Sequence, residues 1–333
     1  MTNTASTLRT VLPLDELIVA ARELRIGGRW ERATRLLDSA EATDPRARAH
    51  LAVAAAEVAL ERDWFGGTTL AGPRLAAAEE LVEVLIQSLA GKPADEAHPG
   101  IRWDLDFLRL RHGYLGRVRV DGAFRAGPDG KDPDALAALR THAERLRDQA
   151  PDEVRRGWAE MYLGLVADNL FAERDLAPGH YEAALRASEA GEAGEAGEAG
   201  EAGEKGEAGG SPDSGDDLLA REALRHLGDH DHDHGDHARA RERWSRAAEL
   251  GARSGTVPGT LSQQLLLAVL ARDAGDEAGA VALVREIARW AGAIGAVTTE
   301  AQARGFLAGV DPTAPPAAPS RTADRTSYPG RGP

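Results

Sequence analysis

The sequence contains no cysteine in 333 residues. This absence excludes disulfide bonds, thiol catalysis and zinc sites ligated by cysteine. Aromatic residues are also scarce, at 5%, and valine and isoleucine are sparse beside alanine and leucine. Because alanine and leucine favour helices, whereas aromatic and β-branched residues favour strands, the composition predicts an all-α protein.

Basic residues are fewer than acidic ones. Lysine and arginine number 40 against 54 aspartates and glutamates, the formal net charge is −14, and only Lys92, Lys131 and Lys205 are lysines. A negatively charged surface disfavours nucleic acid and anionic membranes, since both bind clustered positive charge. We therefore expect neither a nucleic-acid partner nor a membrane partner.

Long hydrophobic runs are absent as well. No apolar stretch approaches the roughly 20 residues that span a bilayer. The N-terminal segment lacks the charged start, the apolar run and the small-residue cleavage site of a signal peptide. A cytoplasmic protein is therefore expected.

Two low-complexity segments divide the chain. Residues 189–217 contain a repeated Glu-Ala-Gly triplet, in which frequent glycine and repelling like charges predict a disordered acidic linker. Residues 311–333 are rich in proline and are predicted to form a disordered tail. Two helical segments remain, 1–188 with enlarged loops and 218–310, and the sequence does not decide whether they pack together.

Apolar residues recur at helical spacing through most of both segments. Leu14, Leu17, Ile18, Ala21 and Leu24 form one stripe, which glycines 27 and 28 interrupt before a second stripe begins at Trp30. Short paired helices with glycine between them and proline after them are typical of antiparallel helical hairpins.

An internal repeat is visible in these hairpins. Trp30 and Trp64 lie 34 residues apart. Segment 14–47 resembles one tetratricopeptide repeat (TPR) unit, with the small residues Ala21, Ala33 and Ala40 where its two helices approach, Ala20 next to Ala21, and Gly28 at the turn between the helices. Further matches begin at Arg221 and near Leu261, so the resemblance covers about 14–62 and 218–294.

The resemblance implies an all-α fold in which antiparallel helical hairpins stack as a TPR-like right-handed solenoid. In this family the first helix of each unit lines a concave groove. The register nominates eight groove-binding residues: Ile18, Arg22, Arg25, Arg225, Asp229, His232, Leu265 and Arg272. The implied function is a non-catalytic scaffold that binds a protein or peptide. The Lys-and-Asn clamp with which chaperone-binding members hold a C-terminal carboxylate is absent.

The middle of the chain fits the repeat less well. Glycines and a proline between residues 66 and 73 enlarge one turn, and the connection that follows Arg117 is overlong. Within it, residues 118–125 alternate around Asp121-Gly122, a signal for a small β-hairpin. An irregular loop is the preferred interpretation of this segment.

A run rich in histidine and aspartate raises the question of a metal site. His226, His230 and His234 fall at i, i+4 and i+8 of the predicted helix, so that they would share one face and could hold Zn²⁺, Ni²⁺ or Cu²⁺. In the repeat register, however, this stretch is the end of one helix and its turn. A solvent-exposed polar surface, with or without opportunistic metal binding, is therefore the favoured interpretation.

Other candidate chemistry is weak. No Gly-x-Ser-x-Gly, Walker or His-Glu-x-x-His motif occurs, so no catalytic residue and no cofactor is predicted.

The six tryptophans are predicted to lie in the hairpin core, Trp103 and Trp158 being the candidates to face a groove. Two arginine pairs, Arg109/Arg111 and Arg155/Arg156, are predicted to be solvent-exposed. A ligand-responsive regulator that uses the same groove stays open as an alternative function.

Overall fold

The computed structural model describes residues 12–89, 99–120, 123–201 and 215–312. Within these ranges the chain forms thirteen helices and one two-stranded antiparallel pairing, which confirms the all-α prediction. The helices are α1 (Leu14–Ile26), α2 (Trp30–Asp38), α3 (Pro45–Gly66), α4 (Ala71–Leu89), α5 (Pro99–Val118), α6 (Pro133–Asp148), α7 (Glu153–Asn169), α8 (Ala177–Glu201), α9 (Gly215–Asp233), α10 (His237–Arg253), α11 (Val257–Asp273), α12 (Glu277–Ile294) and α13 (Val297–Leu307).

Aspartate side chains fix where many of these helices begin. The Asp44 carboxylate accepts a hydrogen bond of 2.9 Å from the Ala47 amide, and Pro45 occupies the first helical position. Such a cap satisfies an amide that has no partner within the helix. An aspartate cap also starts four more helices, at Asp132, Asp152, Asp236 and Asp276.

Small residues let the two helices of a hairpin approach closely. Ala21 and Ala33, which the repeat register places at such positions, are fully buried between α1 and α2. Between α9 and α10 the approach is closer still, since a Cβ atom at Gly228 would lie 2.4 Å from Cδ1 of Trp244. The pairing of a glycine with a large aromatic ring therefore sets the distance between these helices.

Successive helices pack against each other, and the last helices of the chain also pack against the first. One apolar core contains Ile18 and Trp30 from the first hairpin together with Leu265 and Phe306 from the last helices. At Gly28, a Cβ atom would lie only 3.1 Å from the Ile294 side chain of α12. We call this contact between α1–α3 and α11–α13 the seam.

A polar contact reinforces the seam. The Arg119 guanidinium donates 2.6 Å to the hydroxyl of Thr298 on α13 and 2.5 Å to the carbonyl oxygen of Trp64 on α3. A second core joins α5–α8 to Leu219, Ala223 and Leu227 of α9. The helices on either side of the predicted linker therefore share two cores.

Three sequence expectations differ from the structure. The segment after α5 pairs as β1 (Arg119–Val120) with β2 (Ala123–Phe124), so the preferred interpretation of an irregular loop was wrong. Helix α8 extends to Glu201, into the segment predicted as linker, since glutamate and alanine favour helix. Trp290 was predicted to be core, but 47% of it is exposed on α12. Residues 202–214 and the tail from 313 lie outside the described ranges.

Candidate functional site

A cavity of about 1300 Å³ lies at the centre of the helical array. The helices that line it are mainly the odd-numbered ones, from α1 through α13, whereas α2, α4, α6 and α12 contribute no lining residue. The first helix of each hairpin therefore faces inward and the second faces outward. Charged and aromatic side chains dominate the wall.

Six of the eight residues predicted to line a groove do line this cavity: Arg22, Arg25, Arg225, Asp229, His232 and Leu265. Ile18 and Arg272 lie elsewhere. Ile18 is buried in the core of the seam, because the first hairpin contacts the last helices rather than an open groove. The Arg272 guanidinium lies 3.4 Å from the ring centre of Phe306 and also contacts Glu277, which directs it away from the cavity.

An ion-pair cluster joins α1 to α3 at the cavity wall. Arg25 contacts the Glu61 carboxylate directly and lies 3.3 Å from that of Glu57. Arg22 lies 3.7 Å from Glu57 but is half exposed. Burial acts to raise the pKa of Glu57, but the charges of Arg25, Arg22 and Arg111 outweigh it and hold that pKa below its usual value.

The wall that α5 and α7 form combines one ion pair with an aromatic cluster. Arg155 donates two hydrogen bonds, of 2.7 and 3.0 Å, to the Asp104 carboxylate. Trp103 stacks on Phe107 with ring centres 5.0 Å apart, and Phe107 meets the edge of Tyr162 at 5.2 Å. Trp103 and Trp158 both line the cavity. The wall therefore offers aromatic faces and fixed charges side by side.

In each of the two arginine pairs predicted to be exposed, one arginine faces solvent and the other faces the cavity. Arg109 is exposed and contacts Glu79, and Arg156 is exposed beside Glu153. Arg111 and Arg155 turn inward and line the cavity. For these two, the prediction of a solvent-exposed surface was wrong, because residues two positions or one position apart on a helix point in different directions.

The three histidines of the candidate metal site take different partners. His226 stacks on Tyr181 with ring centres 5.1 Å apart, and His230 Nε2 lies 3.1 Å from the Asp168 carboxylate. His234 donates its Nδ1 proton to the carbonyl oxygen of His230 at 2.6 Å. The first two rings pack toward α7 and α8 instead of sharing an open face. Within the described ranges no group of three or more His, Cys, Asp or Glu side chains is arranged to hold a metal ion.

Burial changes the proton affinity of two groups on this part of α9. It lowers the pKa of His226 well below its usual value, and the neighbouring charges of Arg225 and His230 act in the same direction. It raises the pKa of Asp229 from 3.8 to about 6, although Arg225 opposes the shift. His226 is therefore neutral at physiological pH, while Asp229 is a carboxylate held at a free-energy cost.

Replacing Asp229 with asparagine is expected to stabilise the protein by about 1 kcal/mol at pH 7. The pKa of Asp229 is higher in the folded chain than in the unfolded chain. Its ionisation therefore costs stability as the pH rises from about 4 through 6. The gain should vanish at about pH 4. Urea unfolding of Asp229→Asn at pH 7 and at about pH 4 measures the gain in stability. The exposed Asp175→Asn serves as control. An equal gain at the two pH values would contradict this explanation.

Comparison of the chain with known protein families and with curated proteins yields no match. In the ranges that the structure describes, no helix combines the length and apolar character needed to cross a membrane. The cytoplasmic location stays a prediction.

Proposed function

We propose that this chain is a non-catalytic receptor that holds a peptide segment of a partner protein inside its central cavity. The observation that carries the proposal is the cavity itself, about 1300 Å³ in volume and lined by the inward helices of successive hairpins. Pockets for small molecules typically measure about 300–1,000 Å³. The space therefore suits several residues of an extended chain better than a single metabolite.

The composition of the wall supports recognition of a peptide. Tryptophan, tyrosine and arginine contribute most to binding energy at protein interfaces, and Trp103, Tyr162 and Arg155 are among the residues at the wall. Many charged side chains there already contact each other, as Arg155 contacts Asp104. Such pairs fix the shape of the wall before a guest arrives, which reduces the entropy cost of binding.

The TPR resemblance agrees with this proposal. The close helix approaches at small residues and the inward position of each first helix are what a TPR-like right-handed solenoid would produce. Because the seam brings the first and last hairpins together, we infer that the partner enters as a narrow segment and not as a folded domain. This is narrower than the open groove that the sequence predicts.

A cavity-blocking variant tests the proposal. Ser262 lines the cavity from α11, so Ser262→Trp would fill part of it, whereas Ser39→Trp places the same side chain on the exposed end of α2. Phage display of random peptides on the wild-type protein should enrich a family of binders. We expect Ser262→Trp to weaken their binding about tenfold or more and Ser39→Trp to leave it unchanged.

Two results would contradict the proposal. The first is that no peptide is enriched on the wild-type protein. The second is that enriched peptides bind Ser262→Trp as tightly as the wild type, which would place the binding surface outside the cavity. Far-ultraviolet circular dichroism of both variants verifies that they remain folded.

A further inference from the structure

Not every charged side chain at the cavity wall belongs to a direct ion pair. Each carboxylate at the wall except Asp229 lies within 4.0 Å of an arginine. Three arginines that line the cavity have no carboxylate within 4.0 Å among the described residues. Arg119 donates to two carbonyl oxygens and a hydroxyl instead, which leaves Arg111 on α5 and Arg225 on α9. All wall acids except Asp229 therefore contact an arginine, while Arg111 and Arg225 make no direct ion pair.

Arg111 is held so that the end of its guanidinium is unoccupied. Its Nε donates to the hydroxyl oxygen of Tyr162 at 3.3 Å, which fixes the orientation of the side chain. Its two terminal nitrogens have no hydrogen-bond partner in the part of the chain that the structure describes. An arginine held by Nε presents its terminal nitrogens as a fork that matches the two oxygens of a carboxylate.

Arg225 faces the same group of tyrosines from α9. Its Nη1 donates to the neutral His226 ring at 3.0 Å, and its Nε is buried without a partner. Its charge acts to lower the pKa of Tyr114, although burial keeps that pKa raised. The rings of Tyr114 and Tyr162 lie 5.6 Å apart. Arg111 contacts Tyr162 and Arg225 acts on Tyr114, so both arginines lie near one tyrosine pair.

Burial acts to lower the pKa of both arginines, but Glu61 and Glu57 near Arg111, and Asp229 and Glu222 near Arg225, help to keep it raised without contacting them. A carboxylate in direct contact would add the charge-assisted hydrogen bonds that these acids do not make. We propose that Arg111 and Arg225 bind side-chain carboxylates of the guest, so that the ligand is an acidic peptide. This inference rests on the proposed function in taking the guest to be a peptide. The net charge of −14 repels such a guest at a distance, so moderate salt should accelerate association by screening that repulsion.

Three fluorescein-labelled peptides of equal length test the inference: one alternates aspartate with alanine, one asparagine with alanine, and one lysine with alanine. Fluorescence anisotropy should show that the aspartate peptide binds about tenfold or more tightly than the asparagine peptide. Arg111→Gln and Arg225→Gln should each remove about tenfold of that affinity. Arg289→Gln is the matched control, since Arg289 is exposed on α12 and contacts Glu286.

A second variant at the same position separates recognition from folding. Arg111→Lys keeps the positive charge but lacks the planar fork, so it should bind the aspartate peptide with intermediate affinity. A circular dichroism spectrum identical to that of the wild type is required of each variant. Full binding by Arg111→Gln and Arg225→Gln would overturn the assignment of these residues.

Succinate, a free dicarboxylate, distinguishes failure of this inference from failure of the proposed function. Preference for the asparagine or lysine peptide would overturn the acidic ligand and leave the peptide receptor standing. Binding of succinate alone, lost in Arg111→Gln, would support the anion site and overturn the peptide receptor. Binding of neither succinate nor any peptide would overturn both.

Discussion

Replacing Arg25 with methionine is expected to lower the free energy of unfolding by about 3–5 kcal/mol at neutral pH. The Arg25 side chain is 10% exposed and contacts the equally buried Glu61 and, at 3.3 Å, Glu57. Its loss would leave two largely buried carboxylates without their main counter-charge. Chemical unfolding in urea, followed by circular dichroism, measures the change.

Two further variants show whether charge is the cause. Arg22→Met removes an arginine that is 52% exposed and 3.7 Å from Glu57, so its cost should stay below about 1 kcal/mol. Adding Glu61→Met to Arg25→Met should recover part of the loss, because it removes one of the orphaned charges. A loss below about 1 kcal/mol for Arg25→Met would show that the cluster contributes little.

The pH dependence of Arg25→Met follows from Glu57. The folded chain holds the pKa of Glu57 below its unfolded value, so this group contributes stability above the unfolded value and loses it as the pH falls through the folded one. Without Arg25 much of that contribution disappears. The difference between the variant and the wild type should therefore shrink as the pH is lowered below about 4.

Truncation of Trp244 to alanine is expected to cost about 3–5 kcal/mol in unfolding free energy. The ring is fully buried, fills the space above Gly228, stacks on His232 with ring centres 5.5 Å apart, and donates 3.0 Å to the carbonyl oxygen of Arg225. Its loss would leave a cavity and remove the hydrogen bond that the indole donates. Thermal and urea unfolding report the change.

Trp290 provides the matched control for Trp244. Because 47% of Trp290 is exposed, Trp290→Ala should change stability by no more than about 0.5 kcal/mol. Equal losses for the two variants would contradict the burial on which the prediction rests. A small loss for Trp244→Ala would mean that α9 and α10 collapse to fill the space.

The two tryptophans illustrate how far the sequence could predict the core. Trp244 is confirmed as core, since it is fully buried against Gly228. On α12 the buried stripe is Ala280, Val284, Ile287 and Ala291, so position 290 falls beside it. A large aromatic residue suggested core packing, but the helical period decided its exposure.

The seam could not be predicted, because residue patterns report contacts within a hairpin and between neighbours. Whether successive hairpins curve until the ends meet depends on small rotations that add up along the array. Ile18 shows the result: its register position implied a groove-facing residue, and the seam buries it. Arg22 and Arg25, assigned from the same register, line the cavity.

Arg111 and Tyr162 were missed for a different reason. They lie on α5 and α7, in the middle of the chain, where enlarged turns remove the register that assigns a face to each position. One signal was present, since Arg111 follows the apolar residues Leu108 and Leu110 on a helix that is otherwise largely buried. An arginine in such surroundings indicates a charged group beside the core more than a surface residue.

The seam also bears on how the chain is made. During translation α1–α3 leave the ribosome long before α11–α13 exist, so the apolar side chains that they share in one core have no partner for most of synthesis. Contacts between distant parts of a chain form slowly, and exposed apolar surface favours aggregation. The nascent chain therefore depends on its last three helices to shield its first three, and ribosomal stalling before α11 would release an aggregation-prone fragment.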